Sequence, residues 1–289
     1  MREKMTAFGI LLGVLLIGVI WQYIELKKFK VTEYRFSTAK LHADRRFAVL
    51  ADLHGFTYGK NNEKLIRELC AFQPEAILIA GDMIVFGDEE SYKKAYDLFC
   101  RIAKLAPVYY GFGNHESRGL GTTDKAVNRA FAEYMRQVKE LGVIFLCNET
   151  VLLALGADEI AVSGLELDLR YYEKRKEVPM EKDYLKSVLG EADRKRFQIL
   201  LAHNPTYSEE YAAWGADLTL CGHNHGGLIR LPGRGSLFSP QLTFFPKHDG
   251  GQYEIAGKQV IVSRGLGTHT FHIRIFNRAE LVLVRAESM

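Results

Sequence analysis

Five short polar clusters each close an apolar run, and that recurrence constrains the fold more than any other feature of the chain. They are Asp52-Leu53-His54, Gly81-Asp82, Gly113-Asn114-His115-Glu116, His203-Asn204-Pro205 and Gly222-His223-Asn224-His225. The runs before them, Phe47 to Ala51, Ala76 to Ala80, Val108 to Phe112, Phe197 to Ala202 and Leu218 to Cys221, have the near-continuous apolar character of strands buried on both faces. Lined up along one edge of one sheet, they would bring carboxylate, imidazole and amide groups from five distant segments to one place.

Patterns with helical spacing lie between these runs, over Asn61 to Phe72, Tyr92 to Leu105, Lys125 to Leu141 and Asp183 to Leu189, punctuated by Pro74, Gly87, Pro107 and Gly142. Val151 to Leu155 and Ile160 to Gly164 read as strands about a turn at Gly156-Ala157-Asp158. Gln259 to Ser263 and Arg274 to Val284 read as late strands, with a turn at Asn277-Arg278. A βαβ half thus joins a strand-rich half, which predicts an α/β fold: a two-sheet β-sandwich flanked by helices. The 289 residues suffice for one large domain or two smaller ones, and the common scaffold the clusters need favours one, over residues 46–289.

From Ala7 to Ile24 the chain has no charged side chain, and Gln22 is the only strongly polar one. As a helix this stretch is about 27 Å long, near the roughly 30 Å hydrocarbon core of a bilayer. Glu25-Leu26-Lys27-Lys28 follows in place of a small-x-small cleavage site. The expectation is one uncleaved N-terminal transmembrane helix (about 7–24) within an anchor over 1–30, then a linker over 31–45 with a candidate edge strand at Tyr34 and Phe36. This makes the protein single-pass in the cell membrane. Bases flank the run on both sides, so the charge bias that orients such helices is weak; the short tail with Arg2 and Lys4 leans towards an extracytoplasmic catalytic domain. Cys70, Cys100, Cys147 and Cys221 lack paired spacing and read as buried thiols, which leans the other way.

The net charge of +3 resides in the first thirty residues, which hold five bases against two acids and leave 33 of each in the rest. A nucleic-acid partner is therefore not expected, because phosphate contacts call for a basic excess on the folded part.

Asp52 and His54 stand two apart after the first strand, so in extended backbone both point the same way. Asp82 follows Gly81, whose missing side chain allows a tight turn, and its two oxygens can serve two cations. Asn114 offers a carbonyl oxygen, and His203, His223 and His225 offer imidazoles. These seven groups suffice for two divalent ions. Such a pair, about 3.5–4 Å apart, acidifies a shared water and clamps phosphoryl oxygens. The mixed oxygen and nitrogen set fits Mn²⁺, Fe or Zn²⁺ better than Mg²⁺ or Ca²⁺.

In order and spacing the five clusters resemble the sequence blocks of the calcineurin-like metallophosphoesterase superfamily, over about Arg46 to Val284. The resemblance implies that Asp52, His54, Asp82 and His225 surround one metal, and that Asp82, Asn114, His203 and His223 surround the other. It implies further that His115 is no ligand but a catalytic residue beside Asp82, which stabilises the phosphoryl charge or protonates the leaving oxygen, with Glu116 orienting it. Gly222-His223-Asn224-His225-Gly226-Gly227 and Ser263-Arg264-Gly265-Leu266-Gly267 are similar to a membrane-associated bacterial branch, with Asn224 and Leu228 where that branch often has Thr and Gln.

The expected function is a membrane-anchored hydrolase of phosphomonoesters, phosphodiesters or pyrophosphates that uses a metal-bridging hydroxide, with a lipid or lipid-linked substrate suggested by the anchor. The alternative is a catalytically silent metal-binding scaffold at the membrane. Arg230 and His269 are candidate substrate contacts, with Arg234 beside the first, and pairing with surface acids is the equal alternative for the two arginines; His42, His248 and His272 read as ordinary loop residues. The run Arg170-Tyr171-Tyr172-Glu173-Lys174-Arg175-Lys176 reads as a solvated loop with a phosphate- or lipid-facing alternative. Oligomeric state is not legible.

Overall fold

The computed structural model describes residues 2–174, 177–231, 233–239, 241–268 and 272–289; in the first helix the side chains at 2–4, 7, 8, 10, 11 and 14 are outside that description. The chain opens with helix α1 (Arg2–Leu26) and strand β1 (Phe29–Thr38). A run of βα units follows: β2 (Arg45–Leu50), α2 (Glu63–Phe72), β3 (Ala76–Ala80), α3 (Glu89–Ile102), β4 (Val108–Gly111), α4 (Asn114–Gly121), α5 (Lys125–Glu140) and β5 (Ile144–Leu146). The second half comprises β6 (Glu149–Leu155), β7 (Asp158–Leu165), α6 (Tyr184–Leu189), β8 (Phe197–Ala202), α7 (Ser208–Trp214) and β9 (Leu218–Cys221). It ends with β10 (Arg230–Leu231), β11 (Gly235–Ser236), β12 (Gly251–Ile255), β13 (Lys258–Val262) and β14 (Ala279–Ser288).

Two mixed six-stranded sheets result, in the orders β1-β14-β2-β3-β4-β5 and β12-β13-β9-β8-β7-β6. Strands β2 to β5 run parallel in the first, and β7, β8, β9 and β13 run parallel in the second. Side-chain alternation decides which layer each residue enters. Phe47, Val49 and Ala51 of the first sheet meet Phe197, Ile199 and Leu201 of the second in the core between the sheets. Their neighbours Ala48 and Leu50 face Leu65, Leu69, Leu98 and Phe99 of α2 and α3, and Leu200 and Ala202 face Leu185 and Tyr211 of α6 and α7. Each strand is thus covered on both faces, the physical reason these runs read as continuously apolar.

The expected sandwich with outer helices is present, with three adjustments. The five cluster-bearing strands do not share one sheet: β2, β3 and β4 lie in one and β8 and β9 in the other, so the clusters meet across the aligned carboxyl ends of two sheets. The stretch read as a linker is largely β1, a parallel edge strand that pairs with β14 from Phe29↔Ala279 to Thr38↔Ser288. The late strand starts at Ala279; Arg274 to Asn277 is instead a connection that makes a single bridge, Ile275↔Ile229, because Arg274 turns inward. Of the cysteines only Cys221 is buried.

Helix α1 covers the apolar N-terminal stretch and is about 37 Å long at 25 residues. Among the described residues no helix is long and apolar enough to cross a membrane; the anchor expected over 7–24 falls in part on side chains outside the described ones.

Candidate metal centre

Backbone geometry at three of the five strand ends, those of β2, β3 and β9, is unusual in a consistent way. Asp52, His54, Asp82, His223 and His225 all have positive φ, between 47° and 65°. Asp and His tolerate the left-handed region better than most residues, but each such residue still holds about 1–3 kcal/mol of strain. The turns therefore aim side chains where ordinary strand exits would not. Close approach at two glycines completes the fit. A Cβ on Gly81 would lie 2.6 Å from the Gly113 nitrogen and 2.7 Å from His203 Nδ1, and one on Gly113 would lie 2.7 Å from the Asp82 nitrogen. Any larger residue there would separate the β3, β4 and β8 turns.

The seven sequence-predicted ligands converge. Asp82 Oδ2 is 3.1 Å from His203 Nε2 and 3.8 Å from His54 Nε2. Asp52 Oδ1 is 3.6 Å from His225 Nε2 and 3.9 Å from His54 Nε2. His54 and His225 bring their Nε2 atoms to 3.2 Å, and His223 Nδ1 lies 3.1 Å from Asn114 Oδ1. Two sets with the spacing of a metal site emerge, Asp52-His54-His225 and Asp82-His203-His223; a third set, His54-Asp82-His115, overlaps both. Backbone carbonyls orient the rings: His203 Nδ1 meets Ala80 O at 2.7 Å, His225 Nδ1 meets Gly267 O at 3.1 Å and His54 Nδ1 meets Ile84 O at 3.3 Å. Each bond puts the N–H on Nδ1 and turns the Nε2 lone pair to the centre, the usual support of a histidine ligand.

Electrostatics show what the centre requires. Asp52 and His223 are buried, yet Asp52 Oδ2 and His223 Nε2 have no hydrogen-bond partner, a costly arrangement for the protein alone. Burial, with Asp82 adding its charge against the counter-pull of His203, pushes the Asp52 carboxyl up to about 7. Burial acts against the Asp82 carboxylate too, but His203, His115 and His54 hold it well below the usual range. Against burial, Asp82 and Asp52 drive His203 up to about 10, whereas burial and His203 drive His223 down to about 3. Two divalent cations held by these residues would accept the orphaned lone pairs and neutralise the adjoining carboxylates. The donor set fits them.

His115 stands at the edge of the centre and lines a cavity of about 340 Å³ with His54, Asp82, Asn114, His223 and His225. The Phe86 N–H donates to its Nδ1 at 2.8 Å, so the neutral ring carries its proton on Nε2. Glu116 does not act on that ring in the way expected. Its carboxylate accepts from the Asp82, Met83 and Gly113 N–H groups at 2.9, 3.0 and 2.9 Å and from the Tyr110 hydroxyl at 2.7 Å. It ties the Asp82 turn to the start of α4 and so sets where both Asp82 and His115 stand. Glu116→Ala leaves four buried donors unpaired, at about 1–3 kcal/mol each. The urea midpoint should drop by the equivalent of more than about 3 kcal/mol, and a wild-type midpoint would remove this role.

Other sequence candidates fare differently. Arg230 is held by Asp249 at 3.1 Å and by the Gly226 carbonyl at 3.2 Å, and it is not among the residues that line this cavity. His269, Arg175 and Lys176 lie outside the described residues. The run from Arg170 is no simple solvated loop: Tyr171 and Tyr172 are buried, and the Tyr172 ring packs 5.0 Å from that of His223.

Sequence reading missed Arg274, which is 2% exposed. Its guanidinium donates to the carbonyls of Arg264, Gly265 and Gly267 at 2.8, 3.2 and 2.6 Å and to those of His225 and Asn277 at 3.3 Å. Asn277 Nδ2 also donates to His225 O at 2.7 Å. Together they pin the turn that carries His225 and the carbonyl that orients it. No local signal marks either residue, because their partners are backbone atoms.

Comparison with known proteins agrees with this geometry. The model of the calcineurin-like phosphoesterase family matches residues 45–227, a span that contains all seven candidate ligands and His115. The chain is 27% identical over 267 residues to the Escherichia coli (strain K12) phosphodiesterase YaeI, covering 91% of this chain and 90% of that one. It is 24% identical to the uncharacterised metallophosphoesterase YkuE of Bacillus subtilis (strain 168), covering 92% and 88%. Among solved structures, a putative 5'-nucleotidase from Staphylococcus aureus superposes with a TM-score of 0.49 at 14% identity, over 85% of this chain and 54% of that one. The chain belongs to the calcineurin-like phosphoesterase family and is a metal-dependent phosphoric ester hydrolase.

Proposed function

We propose that the protein cleaves phosphodiesters with two divalent cations drawn from Mn²⁺, Fe and Zn²⁺, and that α1 holds it at a membrane with the catalytic domain on the extracytoplasmic side and the substrate at the bilayer. The observation that carries the catalytic part is that Asp82 stands between the two ligand sets with His115 beside it at the cavity. When bound, the metals supply Lewis-acid polarisation of the phosphoryl group and a water acidified for attack. The chain supplies the rest. Asp82 and Asp52 concentrate negative charge where cations must sit, and the neutral His223 is ready to ligate. His115 Nε2–H stands where it can donate to a phosphoryl or leaving oxygen, and its Nδ1 contact with the Phe86 N–H fixes the ring. The likeness to a phosphodiesterase over nine-tenths of both chains supports the diester over the monoester.

The membrane part rests on α1, whose side chains Leu12, Leu15, Leu16, Ile17, Val19 and Ile20 are all exposed among the described residues.

Full-length protein loaded with Mn²⁺ should bind two metals per chain and hydrolyse bis(4-nitrophenyl) phosphate faster than 4-nitrophenyl phosphate. Chelation should abolish turnover, and added metal should restore it. Loading should also raise the melting temperature, since each site at a hundredfold excess over its Kd contributes about 2.7 kcal/mol. Two bound metals with no turnover of either ester would establish the scaffold reading instead.

A further inference from the structure

Leu228, Leu242 and Ile273 give the cavity lining an apolar portion, beside Arg118, Lys174, Ser239 and Gln241. The segments that carry these residues continue into exposed aromatic side chains. Phe244 is 66% exposed, Phe245 55% and Phe276 68%. They belong to one structural unit. Ile275 bridges Ile229, the Leu237 N–H donates to Ile229 O at 2.9 Å, and the Phe245 N–H donates to Leu237 O at 3.2 Å. A single exposed phenylalanine needs no explanation, but a set on one hydrogen-bonded cap at the mouth of a site does.

Two observations indicate what covers this cap. The first is charge. Residues 226–248 and 264–278 contain six bases and no Asp or Glu, in a chain whose folded part is balanced. Arg230, Lys247 and Arg278 pair with Asp249, Glu209 and Glu25, which lie outside these segments; Arg234 is exposed on the cap, and Arg118 and Lys174 line the cavity. The second is continuity with α1. The Gln22 side-chain amide lies 2.9 and 3.3 Å from the backbone N and O of Arg274, and Glu25 pairs with Arg278. The exposed apolar helix thus ends on the connection that carries Ile273 and Phe276.

We propose that the cap is a membrane-docking surface: Phe244, Phe245 and Phe276 enter the interfacial layer of an anionic bilayer and hold the mouth of the metal cavity against it. The substrate is then an amphiphilic phosphodiester, its apolar part along Leu228, Leu242 and Ile273 and its phosphate at the metals. This rests on the phosphoesterase reading above. The cap's own segments add no carboxylate and Asp249 beside them is buried and paired with Arg230, while Glu173, Glu177, Glu209 and Glu210 line the neighbouring cavity past Gln241 and Thr243; Arg118, Lys174 and Arg234 are the groups drawn to anionic headgroups. Aromatic side chains are the usual residues of the membrane interface. A second copy of the chain fits less well, because two such caps would oppose base to base.

The test uses full-length, metal-loaded protein and two diesters: soluble bis(4-nitrophenyl) phosphate, and dioctanoyl phosphatidylglycerol below and above its critical micelle concentration. Wild type should cleave the amphiphile about tenfold faster or more once it aggregates, because burial of even one phenylalanine shifts an equilibrium by at least that factor. The triple variant Phe244→Ser, Phe245→Ser, Phe276→Ser should lose that rise while its rate on the soluble diester and its melting temperature hold. Independently, the indole in Phe276→Trp should be quenched by brominated phosphatidylglycerol vesicles beyond the background of Trp21 and Trp214. An unchanged rise in the triple variant, absence of that quenching, or dissociation of a wild-type oligomer by the triple variant would each overturn the docking surface. If wild type cleaves neither diester, the phosphoesterase reading fails, and the quenching still decides the surface.

Discussion

Asp82→Ala should reduce kcat on bis(4-nitrophenyl) phosphate by more than about 100-fold, beyond the ~10–100-fold typical when a hydrogen-bond partner of a metal ligand is removed. The geometry makes this carboxylate common to everything in the centre. One oxygen faces His203 at 3.1 Å and His54 at 3.8 Å; the other accepts the His115 N–H at 2.9 Å. The variant therefore loses a ligand from both sets and the anionic cap on the first turn of α4, where His115 sits. Metal analysis should fall below two ions per chain. Asp82→Asn keeps the shape and the cap acceptor but removes the charge, so it should retain the fold while losing metal. Wild-type turnover with both ions bound in either variant would refute the shared role of this residue.

His115→Ala should behave in a different way. All seven ligands stay, so two metals should remain bound and the melting temperature of the loaded protein should change little. The expected loss of about 10²–10⁴ in kcat is that of a missing proton donor, and it should depend on the leaving group. Nitrophenolate departs with little help, whereas phenolate is more basic and needs its oxygen protonated or stabilised. Diphenyl phosphate should therefore lose more than bis(4-nitrophenyl) phosphate, and a plot of log kcat against leaving-group pKa should steepen in the variant. A uniform loss across the series would assign His115 to charge stabilisation alone, and loss of a metal would make it a ligand, as its membership of the set with His54 and Asp82 allows.

Much of this architecture is legible in the chain itself. Strands such as Ala76–Ala80 and Phe197–Ala202 are buried at every residue, and continuous burial writes itself into composition as an unbroken apolar run. Helices α2, α3 and α5 carry one apolar face each, which a 3.6-residue period records. The ligands are legible for a related reason: metal chemistry admits few residue types, and strand ends bring them into recurring positions. Other features leave no local trace. Helices α4 and α7 are short and begin in or just after ligand clusters, so turn chemistry masks them. The division of the five strands between two sheets follows from which edges pair, and an apolar run is the same in either sheet.

The functional residues divide along the same line. Asp52, His54, Asp82, Asn114, His203, His223 and His225 are candidates that the chain alone names, because a ligand must carry its own donor atom and the order of the blocks is specific. Glu116, Arg230 and Arg274 cannot be understood that way. Glu116 reads as orienting His115, yet its oxygens are committed to N–H groups of the Asp82 and Gly113 turns. Arg230 reads as facing either substrate or a surface acid, and only the fold shows that Asp249, nineteen residues on, is its partner. Arg274 gives no signal, because the five carbonyls that satisfy it converge only after β2, β9 and β13 have aligned their carboxyl ends. Sequence alone therefore determined which atoms can ligate metal and which segments must be buried, since those are properties of side chains and short-range period. Tertiary structure alone decided which charges are paired, which turns are strained and where the cavity opens, because those depend on partners that only long-range packing brings within bonding distance.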